Sequence, residues 1–150
     1  MKIDILFIHP NASKIIYQDL SERHSAIEPP IWAGMLANHC RNRNFNVEIL
    51  DCEVLNLDPE QSAKDIAATK PKIACYVVYG QQPSASSQNM EGAILSAKIL
   101  KNNNPEIKIL FVGGHIAALP KETLENEKCI DFIALNEGVY AISNLLKVSD

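Results

Sequence analysis

The chain has 150 residues, of which 47% are hydrophobic and 21% are charged, and its formal net charge is −4. This length suits one domain that buries its own core without disulfides or a structural metal, and the composition excludes a disordered chain. The acidic charge and the dispersed basic residues argue against nucleic acid as a main partner, because duplex binding depends on Lys and Arg that neutralise phosphates.

No apolar run approaches the roughly 18 residues that a membrane-spanning helix needs, so we expect no membrane partner. The N-terminus lacks the basic start, the long apolar stretch and the cleavage site of a signal peptide, which predicts a cytoplasmic protein. Cys40, Cys52, Cys75 and Cys129 form no C-x-x-C pair. We therefore expect buried, reduced thiols and no metal site.

The first element in chain order is a buried strand predicted over residues 2–8, which a long connection follows, residues 9–28. Pro29 and Pro30 then open a helix that ends around residues 41–44, and its apolar side chains recur at helical spacing. That spacing places Trp32 on the apolar face. We interpret Trp32 as a core residue and not as a stacking platform.

A second strand is predicted over residues 46–50, before a helix that starts near Asp58. Asp58 can cap this helix, Pro59 fits its first turn, and Gln61 can reach back to the amide of the capping residue. The alternation continues to the end of the chain. It comprises strands over residues 72–79, 107–112 and 131–135, a polar loop over 80–88, and helices over 89–101, 120–127 and 139–147.

The predicted strands are short, continuous apolar runs, as expected when both faces of a sheet are covered. Parallel strands need crossover connections, and these are right-handed in nearly all proteins. The pattern therefore predicts a doubly wound α/β domain in three layers, with a five-stranded parallel sheet in the order 2-1-3-4-5.

In such a sheet the ligand binds outside the carboxyl ends of the strands, where the strand order reverses, which here lies between strands one and three. The loop after strand one is unusually long, and residues 80–88 are nearly all small or hydrogen-bonding. These loops suit a large, polar, mostly uncharged ligand. Gly113-Gly114 ends strand four and lets the backbone approach that ligand, and residues 136–138 end strand five in a similar way.

Four stretches carry a resemblance to a known family. They are His9-Pro10-Asn11 after strand one, "PPIWAGMLA" over residues 29–37 leading to "VEILD" over 47–51, "PEIKILFVGGH" over 105–115, and "IDFIALNEG" over 130–138. In this order and spacing the chain resembles the cobalamin-binding domain found at the N-terminus of many radical S-adenosylmethionine enzymes. The resemblance covers nearly the whole chain and implies a flavodoxin-like, Rossmann-like domain.

The chain departs from its wider relatives in three places. The loop after strand one lacks the Asp-x-His-x-x-Gly motif whose histidine ligates cobalt in methionine synthase and the mutases, so no histidine of that motif is expected to hold cobalt. The family's Gly-Glu-Gly-Glu pattern is reduced to Asn136-Glu137-Gly138-Val139. There is also no Cys-x-x-x-Cys-x-x-Cys, so this chain cannot by itself hold the iron–sulfur cluster of a radical enzyme.

The resemblance implies that the chain binds cobalamin, as methylcobalamin or hydroxocobalamin, and presents it to a radical S-adenosylmethionine barrel in cis or in a separate subunit. The iron–sulfur cluster and S-adenosylmethionine would belong to that adjoining domain, and the reaction would be methyl transfer to an unactivated centre. The cofactor-binding residues that it implies are His9, Pro10, Asn11, Gly80, Gln81, Ser84, Ser86, Ser87, Gly113, Gly114, His115, Asn136, Glu137 and Gly138.

Several of these residues keep a structural alternative. His9 can approach the corrin or cap strand one, the serines can bond the ligand or cap the following helix, and Glu137 can bond a ligand amide or cap the last helix. Two other functions use the same fold. One is a signalling or interaction module without a cofactor; a signalling receiver would need an acidic cluster at the ends of strands one and three, where this chain has His9 and Gly80. The other is a flavin-binding domain, which would need a phosphate-cradling loop after strand one.

Overall fold

The computed structural model describes residues 2–11, 29–80 and 83–148. Five strands form one sheet in the order β2-β1-β3-β4-β5, and every neighbouring pair is parallel. The strands are β1 (Ile5–His9), β2 (Val47–Asp51), β3 (Ile73–Val78), β4 (Lys108–Gly113) and β5 (Phe132–Ala134). The predicted doubly wound α/β fold is confirmed, with the strand order reversing between β1 and β3.

The described residues form six helices, of which five lie between strands and the last follows β5. They are α1 (Ile31–Arg41), α2 (Pro59–Thr69), α3 (Pro83–Asn103), α4 (Gly114–Ala118), α5 (Pro120–Asn126) and α6 (Val139–Val148). The predicted cap of α2 is confirmed, since the Asp58 carboxylate accepts a hydrogen bond of 2.8 Å from the Gln61 amide. The Gln61 side chain does not reach back to Asp58, because it donates instead to Asp65, one turn further along the helix.

Alternate side chains of the central strands enter two separate cores, as the two-residue period of a strand requires. On one face, Phe7 and Val77 pack with buried residues of α1 and α6. On the other face, Tyr76 and Phe111 stack on each other and pack with buried residues of α2 and α3. The sheet is thus the middle of three layers, and the carboxyl ends of its strands meet at one edge.

The long helix α3 begins at Pro83, so the prediction of a loop through Gln88 and a helix from Asn89 was wrong. Proline fits the first turn of a helix, where its missing N–H is not needed. The apolar residues that mark the buried face begin only at Met90, so the small polar turns before it carry no hydrophobic period. Gly113 is the last residue of β4 and Gly114 the first of α4, so the strand passes directly into a helix.

A buried chain of hydrogen bonds links three elements within the core between the sheet, α2 and α3. The Tyr76 hydroxyl lies 2.9 Å from Ser96 Oγ, Ser96 donates to Ser62 Oγ at 3.1 Å, and Ser62 lies 3.3 Å from Cys52 Sγ. Each polar side chain in this hydrogen-bonded series has a partner, which offsets the free-energy penalty of burying it. All four cysteines are free and buried, as predicted, and burial raises the pKa of Cys52 to about 11.

Candidate functional site

The carboxyl edge of the sheet gathers the ends of five strands. His9 and Asp51 are the last residues of β1 and β2 and are paired in register, and Val78 is paired with Gly113 at the ends of β3 and β4. The residues directly after these ends are the ones that an α/β sheet offers to a ligand. Most of the predicted site residues that the structure describes lie at this edge.

A small cleft of about 70 Å³ opens where the strand order reverses. Its lining residues come from the end of β1, the start of α1 and the end of β3: His9, Pro29, Pro30, Ile31, Trp32, Ala33, Val77, Tyr79 and Gly80. Of these residues, only His9 and Tyr79 carry titratable groups. The structure therefore brings predicted residues His9 and Gly80 together at the expected reversal point, in mostly apolar surroundings.

His9 is buried and bound to a carboxylate. Its Nδ1 lies 3.1 Å from Asp51 Oδ1, and its Nε2 lies 4.0 Å from Glu53 Oε2. Because a carboxylate only accepts hydrogen bonds, the first contact places a proton on Nδ1. Asp51 Oδ1 also accepts the backbone amides of Glu53 and Val54, each at 3.2 Å, so the turn after β2 fixes the carboxylate that orients His9.

The rings of Trp32 and Tyr79 stack at this cleft, with centroids 4.5 Å apart and an interplanar angle of 23°. The interpretation of Trp32 as a core residue was wrong, because its side chain is 36% exposed. The reason lies in α1, which buries Ala33, Leu36, Ala37 and Cys40 against the sheet. Small alanines fill the close contact with the strands, so the large apolar side chains at the start of α1 remain outside.

Tyr79 is fixed by a second contact. Its hydroxyl donates a hydrogen bond of 2.6 Å to the carbonyl oxygen of Asn136, in the loop after β5. Burial, with the nearby Glu137 carboxylate, raises the pKa of Tyr79, so its hydroxyl remains a donor at neutral pH. Asn136 itself has φ of 54°, in the left-handed region that asparagine tolerates. The predicted residue Asn136 thus contacts Tyr79 at this edge through its backbone carbonyl and not through its side chain.

A second group of predicted residues lies on the other side of the sheet, at the start of α3. Ser87 Oγ lies 2.9 Å from His115 Nδ1, which joins α3 to α4. Both residues line a groove of about 490 Å³ between α3 and α5, together with apolar side chains such as Met90 and Ile94. Ser87 and His115 therefore do not share a cavity with His9 and Gly80.

Two of the predicted glycines have a packing reason for being glycine. A Cβ on Gly113 would lie 2.2 Å from the carbonyl oxygen of Val78, on the neighbouring strand. Gly138 has φ of +72°, and a Cβ there would lie 2.8 Å from Val112 Cγ2. These contacts explain both residues without a ligand.

The other predicted site residues are described by their burial and their place in the chain. Pro10 is buried and Asn11 half-buried directly after β1, while Gly114 and Glu137 are exposed at the starts of α4 and α6. Gln81 lies outside the described residues, and so do the side chains of Ser84 and Ser86, whose backbone belongs to the first turns of α3. Within the described part of the chain, no helix is long and apolar enough to cross a membrane.

A family model described as the B12 binding domain matches residues 22–146. The chain belongs to the B12-binding domain family. One curated relative is an uncharacterized methyltransferase, PH0819, of Pyrococcus horikoshii. It is 28% identical over 118 residues, which are 79% of this chain and 24% of that protein. This B12-binding domain therefore spans about a quarter of the length of that relative.

Solved structures of one enzyme share the fold. The radical S-adenosylmethionine methyltransferase TsrM from Kitasatospora setae, solved with tryptophan substrate and an analogue of S-adenosylmethionine, matches with a TM-score of 0.73 and 15% identity. The match covers 97% of this chain and 25% of TsrM. A second structure of TsrM, with cobalamin and a [4Fe-4S] cluster bound, matches with a TM-score of 0.72 and 13% identity, over 99% of this chain and 26% of TsrM.

Trp32 and Tyr79 are the residues at the edge that the sequence pattern did not assign to the site. Tyr79 directly follows β3, at the reversal point, and this position alone was a signal for it. Trp32 lies in the first turn of α1, which starts at the same edge. The sequence did not identify Trp32 as a site residue, because the helical spacing of apolar residues does not show whether an apolar face is buried or exposed.

Proposed function

We propose that this B12-binding domain binds cobalamin at the carboxyl edge of its sheet and presents it to a radical S-adenosylmethionine domain for methyl transfer. The observation that carries the proposal is the gathering of His9, Tyr79, Gly80 and Asn136 around the reversal point of a sheet whose chain matches the family over residues 22–146. These residues combine apolar surface with hydrogen-bonding groups, and a large, amide-rich ligand needs both.

The described residues fit such a ligand in their chemistry. The cleft is lined mainly by proline, aliphatic and aromatic side chains, which suit a bulky organic ring system. The Asn136 carbonyl accepts the hydroxyl of Tyr79 at the cleft. The Ser87–His115 pair offers further hydrogen-bonding groups on the other face of the sheet, outside the cleft. Among the described residues, no group of three His, Cys, Asp or Glu could hold a metal ion.

Bound cobalamin would supply a transferable methyl group on cobalt, and the protein would supply position and surroundings. The Nδ1 of His9 is committed to the Asp51 carboxylate, which orients the imidazole ring. The hydroxyl of Tyr79 is held by the carbonyl oxygen of Asn136. Rigid neighbours lower the cost of ordering a ligand in one orientation.

The catalytic partner in this proposal is a radical S-adenosylmethionine barrel, in the same polypeptide or in a separate subunit. It is supported by the share of TsrM that the match leaves uncovered, since the chain covers 25% of that methyltransferase. The barrel would hold the iron–sulfur cluster and S-adenosylmethionine. Its place would be beyond the carboxyl edge, because the cofactor must face both domains.

The proposal is tested by mixing the purified 150-residue chain with hydroxocobalamin, desalting it, and recording the visible spectrum of the protein fraction. We expect corrin absorbance to remain with the protein. A spectrum of the histidine-coordinated form would contradict the absence of a histidine anchor, and the loss of all corrin absorbance on desalting would contradict binding by this chain.

A pair of matched variants locates the binding. Gly114→Phe introduces a large side chain at the exposed carboxyl edge. Lys147→Phe introduces the same side chain at an exposed position in the last turn of α6, the end of that helix away from the carboxyl edge. We expect the first variant to retain much less corrin than the second, with both folded by circular dichroism. Equal retention by the two variants would argue against the carboxyl edge as the site.

A further inference from the structure

The groove between α3 and α5 lies on the face of the sheet opposite α1 and apart from the small cleft at His9. Its volume is about 490 Å³, and its lining follows α3 from Ser87 to Lys98. This stretch of helix is about 16 Å long, or about three turns. The volume is thus spread along a trough that is about one side chain wide, which suits a row of side chains better than a compact ligand.

Apolar side chains form the floor and both rims of this groove. Met90 and Ile94, one turn apart on α3, are buried at its floor. Leu95 on α3 and Leu119, immediately before α5, line the two rims and remain 43% and 44% exposed. Large apolar side chains that flank one trough and stay in water form a surface that a second apolar face can cover.

Polar contacts at the two ends of the groove join its walls. At one end, Ser87 Oγ lies 2.9 Å from His115 Nδ1, which connects α3 to α4. At the other end, Lys98 Nζ lies 2.8 Å from Glu127 Oε2, which connects α3 to the residue after α5. The groove therefore exists without an occupant, and binding to a formed groove costs less ordering of the protein.

The charges along the groove favour a cationic occupant. Lys98 and Glu127 offset each other, whereas Glu91 on α3 and Glu122 on α5 have no ion-pair partner in the part of the chain that the structure describes. One carboxylate thus lies on each wall of the trough. The edge of the sheet where the strands begin has the opposite character, since its cavity is lined by lysines: Lys2, Lys70, Lys72 and Lys108. Complementary charge would direct a basic segment to the groove and away from that edge.

The walls of the groove favour a helix over an extended segment. Both walls are helices, whose backbone groups are already hydrogen-bonded, so an extended segment would find no strand edge with which to pair. A helix satisfies its own backbone, and its side chains at every third or fourth position form a row. Three turns of such a row match the length of the trough.

We propose that this groove binds a basic amphipathic helix of a protein partner. The apolar face of that helix would lie in the trough, between Leu95 and Leu119, and its Lys or Arg side chains would lie beside Glu91 and Glu122. The inference does not rest on cobalamin binding, because the groove and the cleft at the reversal point have no lining residue in common.

The first test uses two labelled synthetic peptides of about 14 residues, each with leucines along one helical face. Lysines flank that face in one peptide, and glutamates replace every lysine in the other. Fluorescence anisotropy measures their binding to the 150-residue chain in the absence of cobalamin. We expect saturable binding of the lysine peptide, at least about ten-fold tighter than that of the glutamate peptide.

Circular dichroism of the mixture reports the conformation of the bound peptide. A free helix of this length is marginal in water, so binding as a helix should increase the helical signal beyond the sum of the separate components. Absence of binding, equal binding of the two peptides, or binding without a gain in helix would overturn the proposal.

Two double variants of equal net charge locate the bound peptide. Glu91→Lys with Glu122→Lys reverses the charge of the groove, whereas Glu48→Lys with Glu106→Lys reverses two exposed carboxylates elsewhere. At physiological ionic strength, where the screening length is about 8 Å, we expect the first pair to weaken the lysine peptide about ten-fold and the second by less than about two-fold. Equal weakening by both pairs would show attraction to the overall charge of the protein and would overturn the groove.

A pair of leucine variants tests the apolar contact. Leu95→Ser removes one rim of the groove, and Leu124→Ser removes a leucine of α5 that is 39% exposed and does not line it. We expect about a ten-fold loss of peptide affinity in the first variant and less than about a two-fold loss in the second. Sedimentation velocity of the chain alone tests the other occupant. A dimer that Leu95→Ser dissociates would show that a second copy fills the groove, and would overturn the partner helix.

Discussion

At the scale of single residues, the carboxyl edge depends on close backbone contacts that only glycine permits. A Cβ at Gly113 would lie 2.2 Å from the Val78 carbonyl oxygen, whereas a Cβ at Gly34 meets nothing within 4 Å. The sequence suggested that Gly113 and Gly114 face a ligand. A glycine that is needed only for strand packing cannot be told apart from a ligand-facing glycine by sequence alone. Only the register of β3 against β4 separates the two explanations, and that register depends on contacts between residues far apart in the chain.

Gly113→Ala should therefore lower the free energy of unfolding, because β3 and β4 must separate to admit the methyl group. We expect a loss of about 1–3 kcal/mol, as for other overpacked sites. The matched variant Gly34→Ala should gain up to about 1 kcal/mol, since alanine is the better helix former in α1. Urea denaturation of both variants measures the difference, and equal effects would mean that the contact at Gly113 is not as close as described.

A carboxylate at the opposite edge of the sheet links stability to pH. Burial of Asp4 opposes its charged form, but the hydrogen bond of 2.8 Å from the Asn46 amide and the Lys72 ammonium at 3.0 Å outweigh this, and the pKa of Asp4 is lowered. A lowered pKa in the folded state gives stabilisation that is complete above the unfolded value of 3.8 and is lost as the pH falls below it.

The free energy of unfolding should thus fall more steeply with acid in the wild type than in Asp4→Asn, over the range below about pH 4. Above that range the variant should be less stable by a constant amount. Chemical denaturation at a series of pH values measures both slopes. Parallel curves for the two proteins through this acid range would show that Asp4 has the same pKa in the folded and unfolded states.

At the scale of elements, strands and most helices followed from local patterns, and the start of α3 did not. Continuous apolar runs identified all five strands, because both faces of the sheet are covered. The first turns of α3 have no apolar period, and their serines favour caps and loops as readily as helices. The exposed face at the start of α1 was hidden for a related reason, since alanines and not Trp32 make its contact with the sheet.

The hydrogen-bonded chain from Tyr76 through Ser96 and Ser62 to Cys52 couples β3, α3 and α2. Tyr76→Phe should keep the ring stacking on Phe111 and remove the hydroxyl, leaving Ser96 with one partner fewer. We expect a loss of about 1 kcal/mol in the free energy of unfolding. Thermal or urea denaturation measures it, and Tyr140→Phe, which removes the hydroxyl of an exposed tyrosine, is the matched control that should change little.

At the scale of the whole molecule, the two cores enclose every thiol of the chain. Cys40, Cys52, Cys75 and Cys129 are all buried, and burial raises the pKa of Cys40 and of Cys52 to about 11. A thiol that is both buried and protonated is a poor nucleophile. The native protein should therefore react slowly with a chromogenic disulfide at neutral pH, and four thiols should appear on unfolding. Fast reaction of the native chain would contradict the compact cores.

In the proposed enzyme, cofactor binding and radical chemistry lie in different domains. The chain matches about a quarter of TsrM and of the Pyrococcus horikoshii methyltransferase, and it carries the cofactor-binding fold. The sequence pointed to the fold and to the edge of the sheet, because both follow from the order of strands. It did not point to Trp32 and Tyr79, because their meeting depends on how α1 lies against the sheet.

A titration tests whether the carboxyl edge of the sheet binds one cobalamin. The purified chain is dialysed to equilibrium against increasing hydroxocobalamin, and bound corrin is measured from its visible absorbance. Binding should saturate at one corrin per chain, with Lys147→Phe unchanged and Gly114→Phe strongly weakened. Corrin uptake that never saturates, or that is the same in both variants, would contradict a specific site at the carboxyl edge.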